Sequence, residues 1–331
     1  MIRVRLLIFL VGLSSCTHLA VKEEKQVASQ EPYQLEIPAG FPSMEIPPDN
    51  ALSAAKIALG KRLFFDTRLS LDSSISCGSC HIPGSAFSDT VAFSQGILNK
   101  HAKRNSPSLM NIGFNPSFMA EGGVKSLELQ VLAPIENDDE MGMTIGAVCD
   151  RLNTDEYYRK AFRLIWDTAA TPYTVTRSIA AFERTLIGGN SKYDRFANGD
   201  SSTFTSDERN GFILFNTERF NCSSCHSGRL FTNNSIENNG LYVSYTDNGL
   251  FRLSLKQGDM GKFKVPTLRN IALTAPYMHD GSMRRLEDVI DHYDNGGANH
   301  ANKSEFIKPI HMTDDERKSL IAFLKTLTEE S

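Results

Sequence analysis

The chain has 331 residues, of which 40% are hydrophobic and 22% are charged, and this is enough apolar material for one large domain or two of ordinary size. Its formal net charge of -4 excludes the basic excess that nucleic-acid binding requires, so no nucleic-acid partner is expected. A weakly acidic surface is compatible with docking of a basic protein.

The N-terminus is predicted to be a targeting segment. Two arginines precede an apolar run over residues 6–13, which is too short to span a bilayer and ends at Leu13-Ser14-Ser15-Cys16. This ending resembles a bacterial lipobox, so we expect residues 1–15 to be a lipoprotein signal peptide and Cys16 to carry a membrane anchor. The alternative is an ordinary secretory signal with an incidental cysteine. Both interpretations predict an exported protein, and the first predicts a periplasmic or outer-membrane lipoprotein.

Two cysteine pairs carry the strongest chemical signal, and each is followed by a histidine. The motifs read Cys77-Gly78-Ser79-Cys80-His81 and Cys222-Ser223-Ser224-Cys225-His226. Two thiols three positions apart can add to the two vinyl groups of one haem, and the adjoining histidine then reaches the iron. A zinc site would instead need two distant pairs brought together. The sequence therefore predicts two covalently bound c-type haems, with His81 and His226 as proximal iron ligands.

The sequence repeats itself around these motifs. Residues 107–112 (Pro-Ser-Leu-Met-Asn-Ile) match residues 266–271 (Pro-Thr-Leu-Arg-Asn-Ile). Such a repeat predicts a mainly α fold with two cytochrome c-like helical domains, each around one covalently bound haem. The predicted organisation is a tether over residues 16–50, an N-terminal haem domain over 51–170 and a C-terminal haem domain over 171–331.

Apolar residues at helical spacing predict four of the helices. They cover residues 154–166, 174–186 and 286–293, and a fourth helix opens at a capping box that begins with Thr313. Trp166 and Cys149 are both predicted to be buried packing residues.

The repeat also predicts that the two haems differ in their sixth iron ligand. Tyr293 lies on the apolar face of the helix over 286–293, and the repeat aligns it with Pro134, whose side chain has no donor atom. We therefore expect the iron of the first haem to be open, without a side-chain sixth ligand, and the iron of the second haem to be closed by one. Near Pro134, Glu140 could move a proton between peroxide oxygens and Gln130 could orient the ligand. The alternative for Glu140 is a solvated loop carboxylate.

From about residue 50 to the C-terminus, the chain resembles the bacterial dihaem cytochrome c peroxidase family. That family includes the dihaem enzyme that matures methylamine dehydrogenase. Besides the two haem motifs, the resemblance depends on three stretches, residues 104–107 (Arg-Asn-Ser-Pro), 264–270 (Lys-Val-Pro-Thr-Leu-Arg-Asn) and 273–281. It implies hydrogen peroxide as substrate, and a small soluble cytochrome c or copper protein as electron donor. It also implies a homodimer.

The resemblance assigns roles to individual residues. Glu140 falls at the distal acid–base glutamate, while Gln130 and Pro134 match pocket residues of the methylamine-type branch. Tyr293 falls at the sixth ligand of the second haem, a methionine in typical peroxidases, and His292 is the alternative ligand.

The resemblance also implies a calcium ion between the haems. Its ligands would be the Asn105 side chain and the carbonyls of Thr274 and Pro276, which are oxygen ligands that suit a hard cation. Ordinary turn and loop chemistry is the alternative for these three residues.

The chain departs from typical peroxidases at three places. Residues 95–98 (Gln-Gly-Ile-Leu) lack the histidine that closes the resting peroxidatic haem, and His101 is expected to be a surface loop residue. The tryptophan between the haems is replaced by Ala120. A tyrosinate at Tyr293 would lower the potential of the second haem relative to methionine.

The functional hypothesis is a dihaem peroxidase that reduces hydrogen peroxide. One alternative is a methylamine-utilisation-type dihaem oxidase that acts on a protein or other large substrate, which the three departures favour. A second alternative is a non-enzymatic dihaem electron carrier.

Overall fold

The structure, a computed structural model, describes residues 31–330. The expected signal peptide and Cys16 lie outside this range. Within it the chain forms twelve α-helices: α1 Ala54–Phe64, α2 Cys77–Cys80, α3 Leu127–Gln130, α4 Leu132–Glu136, α5 Ile145–Thr154, α6 Glu156–Trp166, α7 Pro172–Glu183, α8 Lys192–Ala197, α9 Ser206–Phe215, α10 Phe251–Ser254, α11 Leu286–Asp294 and α12 Asp314–Lys325. The strands β1 Ile236–Glu237 and β2 Phe263–Lys264 pair antiparallel, with Ile236 opposite Lys264. The predicted mainly α fold is confirmed.

Short polar side chains fix the starts of most of the longer helices. Thr171 caps α7 by accepting a hydrogen bond from the backbone N–H of Thr174, and Pro172 occupies the first turn. Thr313 caps α12 in the same way, with the reciprocal contact from Glu316 that the sequence predicted. A cap of this kind contributes about 1 kcal/mol to helix stability. The four helices predicted from periodicity are all present, with ends that differ by up to three residues.

The internal repeat is visible in how the helices cross. In the first half α1 packs against α7, and in the second half α9 packs against α12. A glycine lies at each crossing. A Cβ atom on Gly60 would lie 1.8 Å from the Ser178 carbonyl oxygen, and one on Gly211 would lie 2.0 Å from that of Ser319. The two helices of each pair therefore approach backbone to backbone, and only glycine permits this distance.

Each half encloses its own hydrophobic core. The first core includes Leu59, Leu63, Phe64, Val148, Tyr158, Phe162, Val175, Ile179, Phe182 and Leu186. The second includes Phe204, Phe215, Leu286, Ile290, Leu320, Phe323 and Leu324. Because the apolar stripe of α7 packs on α1, α7 belongs to the first half. The first core therefore extends through Leu186, past the expected boundary between residues 170 and 171. Cys149 is buried in α5, and Trp166 packs against the first core, as predicted.

Residues 31–50, here called the N-terminal arm, lie along both halves instead of forming a free tether. The Phe41 ring lies 5.6 Å from the Phe114 ring of the first half. The Arg269 guanidinium of the second half lies 4.6 Å from the centroid of the same ring. The arm ends at Asn50, which is fully buried and donates to the Glu128 carboxylate at 2.8 Å. This part of the predicted tether is therefore part of the fold.

None of the helices in the described part of the chain combines the length and the apolar character needed to cross a membrane.

Candidate haem sites and active site

The first haem motif forms a single helical turn, α2, which directs its side chains into one cavity. Ser76 precedes the turn, and His81 follows it with a backbone N–H that donates to the Cys77 carbonyl at 2.9 Å. The His81 Nδ1 lies 2.9 Å from the Phe87 carbonyl oxygen and is assigned as the donor. Burial lowers the pKa of His81, so the imidazole is neutral and its Nε2 is free to bind iron.

The second motif repeats this arrangement with a 3₁₀ turn over Cys222–Ser224. The His226 Nδ1 lies 3.1 Å from the Phe231 carbonyl oxygen, and burial again lowers the pKa of the ring. Each half thus presents two thiols and one neutral imidazole, the donor set that a covalently attached c-type haem requires. The residues present therefore fit two haems.

Both motifs open onto one continuous cavity of about 1460 Å³ that runs from the first half to the second. The cavity is lined by predicted site residues from both halves: Cys77, Cys80, His81, Asn105, Gln130, Pro134, Glu140, Cys222, Cys225, His226, Thr274, Pro276 and Tyr293. The structure therefore brings all of the predicted site residues to one connected space. The histidines among the described lining residues are His81, His226 and His279.

Glu140 lies on the loop that follows α4, close to Gln130 and Pro134 in the cavity lining. Its side chain is half-buried, and its Oε1 accepts a hydrogen bond from the Asn137 Nδ2 at 2.8 Å. Burial raises the pKa of the Glu140 carboxyl above its ordinary value, with a smaller contribution from Asp139 in the same direction. The carboxyl group is thus shielded and held in place, unlike a freely solvated loop carboxylate.

Gly96 fixes the backbone of this loop. The Ile97 N–H donates to the Glu140 carbonyl at 2.9 Å, so the segment around Gly96 lies directly against the loop. A Cβ atom on Gly96 would lie 2.0 Å from the Asp139 carbonyl oxygen. His101, three residues after Leu98, is exposed and does not line the cavity, as the sequence predicted.

Tyr293 and His292 diverge at the end of α11. Tyr293 lines the cavity on the side of the second motif, and burial raises the pKa of its phenol to about 12. The His292 Nε2 instead lies 3.0 Å from the Asn239 carbonyl oxygen, and His292 is outside the lining. Of the two residues considered as the sixth ligand, Tyr293 is the one whose side chain reaches the cavity.

The region between the two motifs is formed by segments from both halves. The Lys264 N–H donates to the Ala120 carbonyl at 2.7 Å, and the Asn105 N–H donates to the His279 carbonyl at 2.8 Å. The His279 ring stacks on the Phe263 ring with centroids 4.1 Å apart, which agrees with a structural role. Ala120 lines the cavity here, at the position where the family resemblance placed the missing tryptophan.

A buried ion network that the sequence analysis missed joins the halves at this place. Arg104 pairs with Glu121 at 2.6 Å and with Asp247 at 2.6 Å. Glu121, which is only 2% exposed, also pairs with Arg252. The Arg-Asn-Ser-Pro stretch was a signal for Arg104, but its partners lie far away in sequence and only the fold reveals them. Burial of the Glu121 carboxylate is tolerated because two guanidinium groups pair with it, and the Arg252 side chain is itself exposed.

Another missed residue is Glu183, the last residue of α7. It is 4% exposed, lines the cavity and carries a buried carboxylate oxygen without a hydrogen-bond partner. Periodicity alone placed it on a helix beside Phe182 and gave no signal that it faces a haem cavity.

Comparison with known proteins assigns both halves to haem-protein families. Residues 54–202 match the family model described as Di-haem cytochrome c peroxidase. Residues 209–328 match the model described as Cytochrome c. The first match runs past α7, in agreement with the position of that helix in the first core.

Similar whole proteins belong to the same group. The methylamine utilization protein MauG of Methylorubrum extorquens is 38% identical over 291 residues, which cover 87% of this chain and 82% of that protein. The cytochrome c551 peroxidase of Nitrosomonas europaea is 34% identical over 91% of this chain and 85% of its own length. Among solved structures, a MauG-like protein associated with microbial copper homeostasis has a TM-score of 0.85 at 35% identity, covering 90% of this chain and 96% of its own. This chain therefore belongs to the dihaem cytochrome c peroxidase family.

Proposed function

We propose that this protein reduces hydrogen peroxide to water at the haem bound by His81. The observation that carries the proposal is the difference between the two ends of the cavity. The end near His81 has Pro134, which cannot bind iron, together with a shielded carboxyl on Glu140. The end near His226 has the phenol of Tyr293. At the first end Pro134 has no donor atom that could bind the iron, while at the second end the phenol of Tyr293 could bind it.

A haem held by His81 would supply the iron that binds peroxide. The Glu140 carboxylate takes a proton from one peroxide oxygen and returns it to the other, which makes water the leaving group. Asn137 holds the Oε1 of Glu140 during this transfer, and Gln130 orients the substrate through its amide. Overall, peroxide, two protons and two electrons give two molecules of water.

The two electrons would come from a small soluble cytochrome c or copper protein, and a haem held by His226 would relay them. Their path between the haems runs past Ala120 and the Lys264 backbone, where the halves meet. Tyr293 is the proposed sixth ligand of the second haem, and the hydrogen bond that engages the alternative, His292, with the Asn239 carbonyl supports this choice. A closed second haem exchanges electrons without binding peroxide itself.

The test is a Glu140→Gln variant assayed for peroxide-dependent oxidation of a reduced cytochrome c. Loss of a general acid–base group costs about 10²- to 10⁴-fold in rate, and we expect kcat/KM for peroxide to fall in that range. Asp138→Asn is the matched control, because Asp138 is an exposed carboxylate of the same loop. Equal peroxide consumption by Glu140→Gln and the unaltered protein would contradict the proposal.

A second candidate function is oxidation of a protein or other large substrate through the same cavity, as in the methylamine-type branch. It is supported by Tyr293, by Ala120 and by the absence of a histidine from residues 95–98. Steady-state turnover with reduced cytochrome c separates the two functions, because this candidate predicts negligible rates. A non-enzymatic electron carrier would show two six-coordinate haems and no reaction with peroxide.

A calcium ion between the haems is part of the proposal. Asn105 donates from its Nδ2 to the Val91 carbonyl at 3.1 Å, which leaves the amide oxygen available as a ligand beside Thr274 and Pro276. In the described residues no group of three or more His, Cys, Asp or Glu side chains could hold a metal ion, so such a site would use neutral oxygens. Elemental analysis of the purified protein before and after chelation tests it: one calcium per chain is expected.

We further propose that the protein is exported, carries a lipid on Cys16 and forms a homodimer. Metabolic labelling with a fatty acid, compared between the full chain and Cys16→Ser, tests the anchor. Light scattering of the holoprotein tests the dimer.

A further inference from the structure

Glu183 is a buried carboxylic acid at a position where core packing favours an apolar side chain. It lines the cavity near the first haem motif, is 4% exposed, and its Oε2 has no hydrogen-bond partner. Its charge acts on the Cys77 sulfur, so the carboxyl group lies close to the point where the haem is attached. A buried polar group without a partner is unfavourable for folding, and such groups call for a functional explanation.

The internal repeat provides a control for this position. Ser178 and Phe182 of α7 meet Gly60, while Ser319 and Phe323 of α12 meet Gly211 in the same arrangement. The residue after each phenylalanine is therefore structurally equivalent: it is Glu183 in the first half and Leu324 in the second. Both line the cavity. The fold thus accepts leucine here, and the acid is specific to the first haem.

Few charges act on Glu183 from the elements packed around α7. The neighbouring Arg184 lowers its pKa and Glu128 of α3 raises it, but these two residues pair with each other at 2.6 Å. From α5, Cys149 faces the core as a neutral thiol, because burial raises its pKa to about 11.

On the remaining sides, α1 presents Gly60 and the Phe64 ring to α7. Haem attachment converts the Cys77 thiol into an uncharged thioether. Burial is the largest effect on Glu183 and raises the pKa of its carboxyl group to about 8. The Glu183 carboxyl group can therefore gain or lose a proton when the charge of a neighbouring haem changes.

We propose that Glu183 couples proton binding to the oxidation state of the haem bound by His81. When that iron loses one electron to the second haem or to an electrode, the added positive charge favours the carboxylate. The O–H bond of the Glu183 carboxylic acid breaks, and the proton goes to water. Reduction reverses both steps. The negative charge on Glu183 thus offsets the positive charge that the iron gains, so the net charge of the first haem site changes less than that of the iron alone. The second haem site lacks this compensation because Leu324 cannot ionise.

This proposal rests on haem binding at the first motif and is independent of peroxide turnover. The experiment is a spectroelectrochemical titration of the holoprotein, without peroxide, over a range of pH. In the unaltered protein the midpoint potential of the first haem should fall as pH rises. The slope should approach 59 mV per pH unit for a one-electron couple, which corresponds to a tenfold change in the equilibrium constant for reduction.

Glu183→Gln keeps the shape of the side chain and removes its proton exchange. We expect the first haem to lose most of its pH dependence, and its potential to match that of the unaltered protein at low pH, where the carboxyl group is neutral. The second haem of the same molecule serves as internal control, and its pH dependence should be the same in both proteins. An unchanged slope for the first haem in Glu183→Gln would overturn the proposal.

A measurement on the unaltered protein makes the test independent of how the variant folds. Redox-induced infrared difference spectra should show the C=O band of a carboxylic acid that is present when the first haem is reduced and lost when it is oxidised. The band should shift in D₂O. Its absence from the unaltered protein would overturn the proposal, even where peroxide reduction proceeds normally.

Discussion

Gly96→Ala should disable the proposed peroxide site without any change to a residue that touches the substrate. The added Cβ atom would lie 2.0 Å from the Asp139 carbonyl oxygen, whereas an ordinary contact begins at 3.4 Å. The Gly96 segment and the loop that carries Glu140 must therefore separate by about 1.4 Å, the difference between these two distances, and this displaces Glu140 relative to the cavity. A misplacement of about 1 Å can cost about 10²-fold in rate, so we expect kcat/KM for peroxide to fall by about that factor.

The assay is peroxide-dependent oxidation of a reduced cytochrome c, with haem content measured from the absorption spectrum. Gly146→Ala is the matched control, because a Cβ atom there meets no other atom within 4 Å. If Gly96 acts through Glu140, the two substitutions are not additive, and Gly96→Ala should cost little in a Glu140→Gln background. Wild-type turnover by a fully haem-loaded Gly96→Ala protein would refute this reasoning.

Three further predictions concern pH, stability and haem ligation. Because burial raises the pKa of Glu140 and the reaction needs its carboxylate, kcat/KM for peroxide should fall as pH drops through that raised pKa, and Glu140→Gln should lack this acid limb. Glu128→Ala leaves the Arg184 guanidinium buried without its partner, so the free energy of unfolding should fall by about 3–5 kcal/mol, measured by urea titration of Trp166 fluorescence. Unchanged stability there would mean that solvent reaches Arg184. Tyr293→Phe should convert the second haem from low spin to high spin in electron paramagnetic resonance, whereas an unaltered spectrum would exclude Tyr293 as the ligand.

Most of the fold could be predicted from the sequence, because the features that define the fold are local. The two haem motifs, the capping box at Thr313 and the apolar stripe of α11 each lie within a few residues of chain, and the structure has all of them. The internal repeat predicted two similar units, and the crossings at Gly60 and Gly211 show this likeness in atomic detail.

What the sequence could not predict depends on contacts between distant segments. The packing of α7 on α1 places this helix in the first core, and the apolar spacing of α7 alone does not show which half it packs against. Glu183 has no local sequence signal that marks it, and only the structure shows its burial near the first haem motif. Pairing of Arg104 with Asp247 likewise joins residues that no local pattern connects.

The N-terminal arm gives the start of the folded chain a mechanical role. Phe41 contacts both the Phe114 ring of one unit and the Arg269 guanidinium of the other, so a segment that contains no haem motif bridges both haem units. Electron tunnelling rates depend steeply on the separation of the two irons. Deletion of the residues up to 50 would remove the contacts of the N-terminal arm with both units. One of the constraints that keep the tunnelling distance constant as the protein moves would then be lost.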